Sequence, residues 1–80
     1  MMNPGDTCYV VHHTVLVDSA TYVDTYRGGH LASINGNPSQ FFTAVHATEA
    51  DAVRAAIFNA ENAKDWLTIR LAKLTAEATR

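Results

Sequence analysis

The chain has 80 residues, enough for one domain and too few for a second. Apolar residues make up 48 % and charged residues 18 %, a balance that folds rather than staying disordered. The net charge is −2, and Arg27, Arg54, Lys64, Arg70, Lys73 and Arg80 are scattered among acidic residues, which argues against direct DNA or RNA binding and against an acidic mimic of nucleic acid.

Residues 1–7 read as a frayed lead-in, given Pro4, Gly5 and Asp6. Residues 8–17 are dense in β-branched and aromatic side chains, which favours a strand. Tyr9, Val11, Val15 and Val17 fall on one face of it, interrupted by His13, and Val10 and Leu16 on the other. Both faces are therefore largely apolar, as in a central strand. Asp18, Ser19 and Ala20 suit a turn, and the alternation over residues 21–26 suits a second strand. Gly28 and Gly29 end it, and a short third strand is expected from His30 to Ile34. Asn35-Gly36-Asn37-Pro38 is the clearest turn signal, because Asn and Gly tolerate the positive φ of tight hairpins. Pro38 cannot donate to a ladder, so the fourth strand is expected from near Gln40 to about Ala47.

Thr48 opens a helix: its hydroxyl is placed to accept from the amide of residue 51, and Glu49 and Asp51 suit the positive end of the dipole. Val53, Ala56, Ile57 and Ala60 recur at helical spacing as one buried stripe. The last fifteen residues read two ways. Leu67, Ile69 and Leu71 alternate with Thr68 and Arg70 as in a strand, whereas Leu67, Leu71, Leu74 and Ala78 continue the helical phase. The modest helix propensity of Trp66, Thr68 and Ile69 favours a break near Asn62, a strand from Trp66 to about Lys73, and a tail over residues 75–80. A continuous helix would instead present a seam at Leu67, Leu71 and Leu74. The sum is a single α+β domain over residues 1–80: a small antiparallel sheet of about four strands, one helix packed on a face, and a returning C-terminal strand.

A core of this size buries only about 60 % of the surface its unfolded chain exposes, so stability is marginal. Cys8 is the sole cysteine and forms no intrachain disulfide; a free thiol fits a reducing compartment. Self-association is the remaining route to more buried area, so the chain is expected as a monomer or a homodimer. The opening residues lack the parts of a signal peptide, and no apolar run approaches the ~20 residues of a membrane helix. A cytoplasmic protein with no membrane partner is expected.

Little in the sequence carries chemistry. His12 and His13 would point to opposite faces of a strand, and His30 and His46 could approach across a hairpin but lack a third metal ligand. Cys8 and His12 would stand about 13 Å apart on one strand face, too far for a nucleophile and its base. Cys8 reads instead as a small, partly buried apolar residue. Neither a catalytic set nor a metal or cofactor site is expected. Tyr22, Asp24 and Tyr26 share a face by alternation, with Arg27 beside them. Tyrosine is enriched at protein interfaces, which makes these four residues the candidate partner-binding surface, unless the rings pack under the helix.

Residues 28–34 (Gly28-Gly29-His30-Leu31-Ala32-Ser33-Ile34) are similar to a stretch of C-type lectin domains. Val23 stands where that family has a cysteine, and its sugar- and calcium-binding motifs are absent, so no lectin role is carried over. From Leu31 to Leu71 the order of strand, Asn-Gly turn, strand, capped Ala-rich helix and Trp-led strand resembles short phage and prophage accessory proteins, with Phe41-Phe42, residues 48–52 and residues 65–69 as anchors. The resemblance specifies no functional residue. It implies a phage-encoded inhibitor of a host defence complex, as anti-CRISPR proteins are. The leading expectation is thus a non-enzymatic protein-binding module that occupies a surface on a larger host protein or complex. The alternative is a small-ligand or metal-binding module using the histidines.

Overall fold

The computed structural model describes residues 2–78. Residue 1 of the expected lead-in and residues 79 and 80 of the expected tail lie outside the described residues. Four strands, β1 (Thr7–His12), β2 (Leu16–Tyr26), β3 (Gly29–Ser33) and β4 (Gln40–Phe42), precede one helix, α1 (Glu49–Ala78). The strands form an antiparallel meander in the order β1-β2-β3-β4. The α+β class, the four-stranded antiparallel sheet and the single helix agree with the sequence. The returning strand does not form.

The expected first strand is cut in two. His12 pairs with Leu16 across a three-residue loop in which His13 (φ 50°) and Thr14 (φ 73°) are left-handed. That conformation is costly for a β-branched residue. The Thr14 carbonyl accepts a 2.9 Å bond from the Asn59 side chain of the helix, and the Val15 N–H donates to the His13 carbonyl, also at 2.9 Å. A long-range partner therefore holds a turn that contains no Gly or Asn. The expected turn at residues 18–20 lies inside β2 instead, with Ala20 paired to Cys8 and Asp18 to Val10.

The other two hairpins follow local chemistry. Arg27 (φ 48°) and Gly28 (φ 79°) connect β2 to β3 in two residues. Asn35 (φ 52°) and Gly36 (φ 74°) turn the chain between Ile34 and Asn37, closed by a 3.0 Å backbone bond. Gly29 is fixed by packing: a Cβ there would lie 2.4 Å from the Phe41 ring and 2.8 Å from the Phe42 carbonyl oxygen.

β4 is shorter than expected: the chain leaves the ladder after Phe42, and Val45 packs against the core. His46 then exchanges two backbone bonds with Tyr9, at 2.8 and 2.9 Å, on the free edge of β1. The edge of β1 is thereby paired at Tyr9. The lead-in is also tied down, since Gly5 donates to the Tyr22 carbonyl and Tyr22 to the Asp6 carbonyl, both at 2.8 Å. Cys8, Val10, Ala20, Tyr22, Ala32, Ile34 and Phe42 form the core, with Met2 and Val45 packed against it.

The helix cap forms as the sequence indicates, Thr48 Oγ1 accepting from the Asp51 amide at 3.2 Å. The buried stripe is rotated from the expected one. Ala52 and Ala56 are buried and Ala55, Asn59 and Ala63 half-buried, while Val53 and Ile57 are 40 % and 53 % exposed. The helix packs on β1 and β2, with Ala55 bordering a cleft beside Val11 and Ala56 a hollow beside Val17. Small side chains let the helix approach β1 and β2 closely. Past Ala63 it meets no sheet, and every residue from 64 to 78 is exposed. Residues 66–73 are helical because no Gly or Pro interrupts 49–78 and the Ala, Leu, Lys, Arg and Glu residues outweigh Thr68 and Ile69. Among the described residues, no helix is long and apolar enough to cross a membrane.

Candidate functional site

The four residues singled out by sequence do not share one surface. β2 is irregular between Tyr22 and Asp24: Tyr22 pairs with Ala32 and Asp24 with Leu31, so Val23 is an extra residue. Such a bulge reverses the alternation beyond it. Tyr22 turns into the core, 3 % exposed, its hydroxyl 2.9 Å from His30 Nδ1. Burial, and then the Asp24 carboxylate, push its phenol above the ordinary value. Asp24 and Tyr26 stand on the opposite face. Tyr26 is 47 % exposed, meets Phe41 edge-on at 6.5 Å and carries the Arg27 guanidinium 5.3 Å from its ring centre. Asp24 accepts a 2.8 Å bond from the Thr25 amide. Three of the four residues thus form a small exposed patch with Phe41, and Tyr22 is excluded from it.

The histidines are placed differently from a regular strand. Because residue 13 sits in the turn, the rings of His12 and His13 come within 5.1 Å of each other rather than facing apart. Both line a cleft of about 550 Å³ with His46, Phe41 and Asn59. His12 Nε2 is bonded to Asp18 Oδ2, and His30 is held by Tyr22. Among the described residues, no three His, Cys, Asp or Glu side chains converge to hold a metal ion. Cys8 is fully buried, and burial pushes its thiol up from its usual value, which suppresses the nucleophilic thiolate.

The most distinctive surface is the distal half of α1, within which the sequence suggests a strand from Trp66 to about Lys73. Trp66 is 76 % exposed, Ile69 69 %, Leu67 and Leu71 65 %, and Leu74 53 %. At about 100° per residue these side chains fall on two sides of the helix. Leu67, Leu71 and Leu74 continue the line of Val53, Ile57 and Ala60, which passes beside Val15 and Leu16 of the β1–β2 hairpin. Trp66 and Ile69 lie roughly opposite, bordering a hollow of about 450 Å³ with Arg70, Lys73 and Glu77.

This surface is large for the molecule. A globular monomer of 8.7 kDa exposes about 4,700 Å², whereas this chain exposes 6020 Å². Its radius of gyration is 16.7 Å, against about 12 Å for a compact chain of this length. The helical reading of Leu67, Leu71 and Leu74 was the signal in the sequence that marked this region. Comparison of the chain with family models, curated proteins and solved structures gives no match.

Proposed function

We propose that the chain is a non-enzymatic protein-binding module whose main contact surface is the distal helix rather than the tyrosine strand. The observation that carries this reading is the pair Trp66 and Ile69, held out from the sheet on a regular helix and flanked by Arg70 and Lys73. Trp and Arg dominate energetic anchors at interfaces. Large apolar side chains on both sides of a helix are characteristic of one that ends up covered. The matching partner surface is an apolar groove with acidic groups at its rim, on a larger protein. The binding reading is also supported by how the reactive side chains are occupied. The Cys8 thiol is buried, His12 is tied to Asp18 and His30 to Tyr22.

The narrower reading, a phage-encoded inhibitor of a host defence complex, rests on the Leu31–Leu71 resemblance. Its strand, Asn-Gly turn, strand and capped helix stand in the fold; its Trp-led strand does not. The test for binding is capture of a stoichiometric protein by the wild-type chain, compared with Trp66→Ala/Ile69→Ala and with Tyr26→Ala. Loss in the helix variant alone, with the fold intact, supports the distal helix. Loss in Tyr26→Ala alone would return the contact to the sheet.

A further inference from the structure

We propose that the leucine-bearing side of the distal helix docks on a second copy of this chain, the two helices running antiparallel about a two-fold axis near Asp65 and Trp66. This rests on the reading of the distal helix as a contact surface, and it names the occupant of one of its two sides.

Spacing comes first. Val53, Ile57, Ala60, Leu67, Leu71 and Leu74 follow each other at alternating intervals of the heptad type, with Lys64 at the one remaining position. That is the pattern of a helix seam that packs on another helix. Ala60 is the one small member of the stripe, between Val53 and Ile57 on one side and Leu67, Leu71 and Leu74 on the other. Antiparallel self-pairing about this axis sets Leu71 over Ala60 twice, once on each side of the axis, with Leu74 opposite Ile57. Parallel pairing would set Ala60 on Ala60 and leave that level underfilled, which costs packing.

The hairpin completes the receptacle. One hollow of about 350 Å³ lies between Val15, Leu16 and Val17 and the helix residues Val53 and Ile57. In the register that sets Ala60 opposite Leu71, it receives Leu74 of the second copy. The adjoining hollow of about 420 Å³, between Val15, Ala60, Ala63 and Leu67, receives Leu71 of the second copy. Val15 and Leu16, at the end of the β1–β2 hairpin, are 46 % and 51 % exposed.

Area and charge agree with a second copy. The chain exposes roughly 1,300 Å² more than a compact monomer of its mass, and each partner in a standard interface buries about 800 Å². The distal helix carries Glu61, Asp65 and Glu77 against Lys64, Arg70 and Lys73, so no net field opposes self-pairing. Lys64 falls near the axis, where a single polar residue in a seam fixes register at a cost in stability. Trp66 and Ile69 stay outside this seam, free for a different protein.

The test is sedimentation equilibrium of the full chain, diluted from about 1 mM to about 1 μM. The wild type is expected as a dimer that dissociates within that range. Leu71→Asp should weaken association at least about thirtyfold, with amide exchange of Val10 and Ala32 in the sheet unchanged because Leu71 is 65 % exposed. Lys64→Leu should tighten it. Ala60→Leu and Leu71→Ala should each loosen the dimer, and the two together should restore it, because the swapped volumes meet across the axis. A wild type that stays monomeric at the highest concentration overturns the second copy. If that monomer still captures a foreign protein through Trp66 and Ile69, the binding reading survives without it; if it captures none, both fall. A dimer that the double substitution fails to restore overturns the antiparallel register.

Discussion

Replacing the two tyrosines of β2 one at a time should give very different stabilities, although only three residues separate them. Tyr22 is 3 % exposed, its ring inside the core cluster and its hydroxyl 2.9 Å from His30. Tyr22→Ala removes a buried ring and should cost about 3–5 kcal/mol. A domain of this length is stable by roughly 4–12 kcal/mol, so the variant should be largely unfolded or close to it. Tyr22→Phe keeps the ring and loses only the bond, a loss of about 1 kcal/mol. Tyr26 is 47 % exposed, and Tyr26→Ala gives up one edge contact with Phe41 and the stacked Arg27, about 1 kcal/mol. Urea unfolding followed by far-ultraviolet circular dichroism measures all three. Equal losses for Tyr22→Ala and Tyr26→Ala would refute the bulge at Val23 and return both rings to one face.

Gly29→Ala should destabilise by about 1–3 kcal/mol, since the new Cβ meets the Phe41 ring at 2.4 Å; a wild-type urea midpoint would show that the hairpin yields freely. Thr48→Ala should cost about 1 kcal/mol through the lost cap on the Asp51 amide, and an unchanged midpoint would mean the helix start is held by packing alone. Cys8→Ser sets a hydroxyl in a fully buried site and should cost about 1–3 kcal/mol, whereas Cys8→Ala should be milder. Burial raises the folded-state pKa of both Cys8 and Tyr22 above their ordinary values of 9.0 and 10.0. Their contribution is complete below those values and is lost as pH rises through the folded ones. The urea midpoint should therefore fall above about pH 9, and a midpoint constant to about pH 11 would contradict it.

Much of the sheet was legible because its signals are local. Asn35-Gly36 and the Gly28-Gly29 pair occur where β-hairpins need positive φ or a missing Cβ, and Thr48 is the helix cap. What was illegible depends on distant partners. The His13-Thr14 turn is held by Asn59 from the helix, which no window of strand-like residues reveals. The bulge at Val23 reversed the face of everything after it, so period-2 counting joined Tyr22 to Asp24 and Tyr26 when the fold separates them. The C-terminal segment misled in another way. Leu67, Ile69 and Leu71 fit an alternating pattern and a helical one at once, and absence of Gly or Pro from residue 49 onward decided for helix. The candidate site moved accordingly, from a strand face to the helix.

Contact-dependent protection of the distal helix is the most direct test of the account. An isolated helical end with no tertiary packing is marginal in water, so residues 64–78, all exposed within one chain, should owe lasting protection to an intermolecular contact. Amide hydrogen exchange across this segment should be followed in the wild type and in Leu71→Asp at the same high concentration. The account predicts slow exchange in the wild type, fast exchange in the variant, and unchanged protection of Val10 and Ala32 in the sheet. Equal protection of residues 64–78 in the two proteins would contradict it.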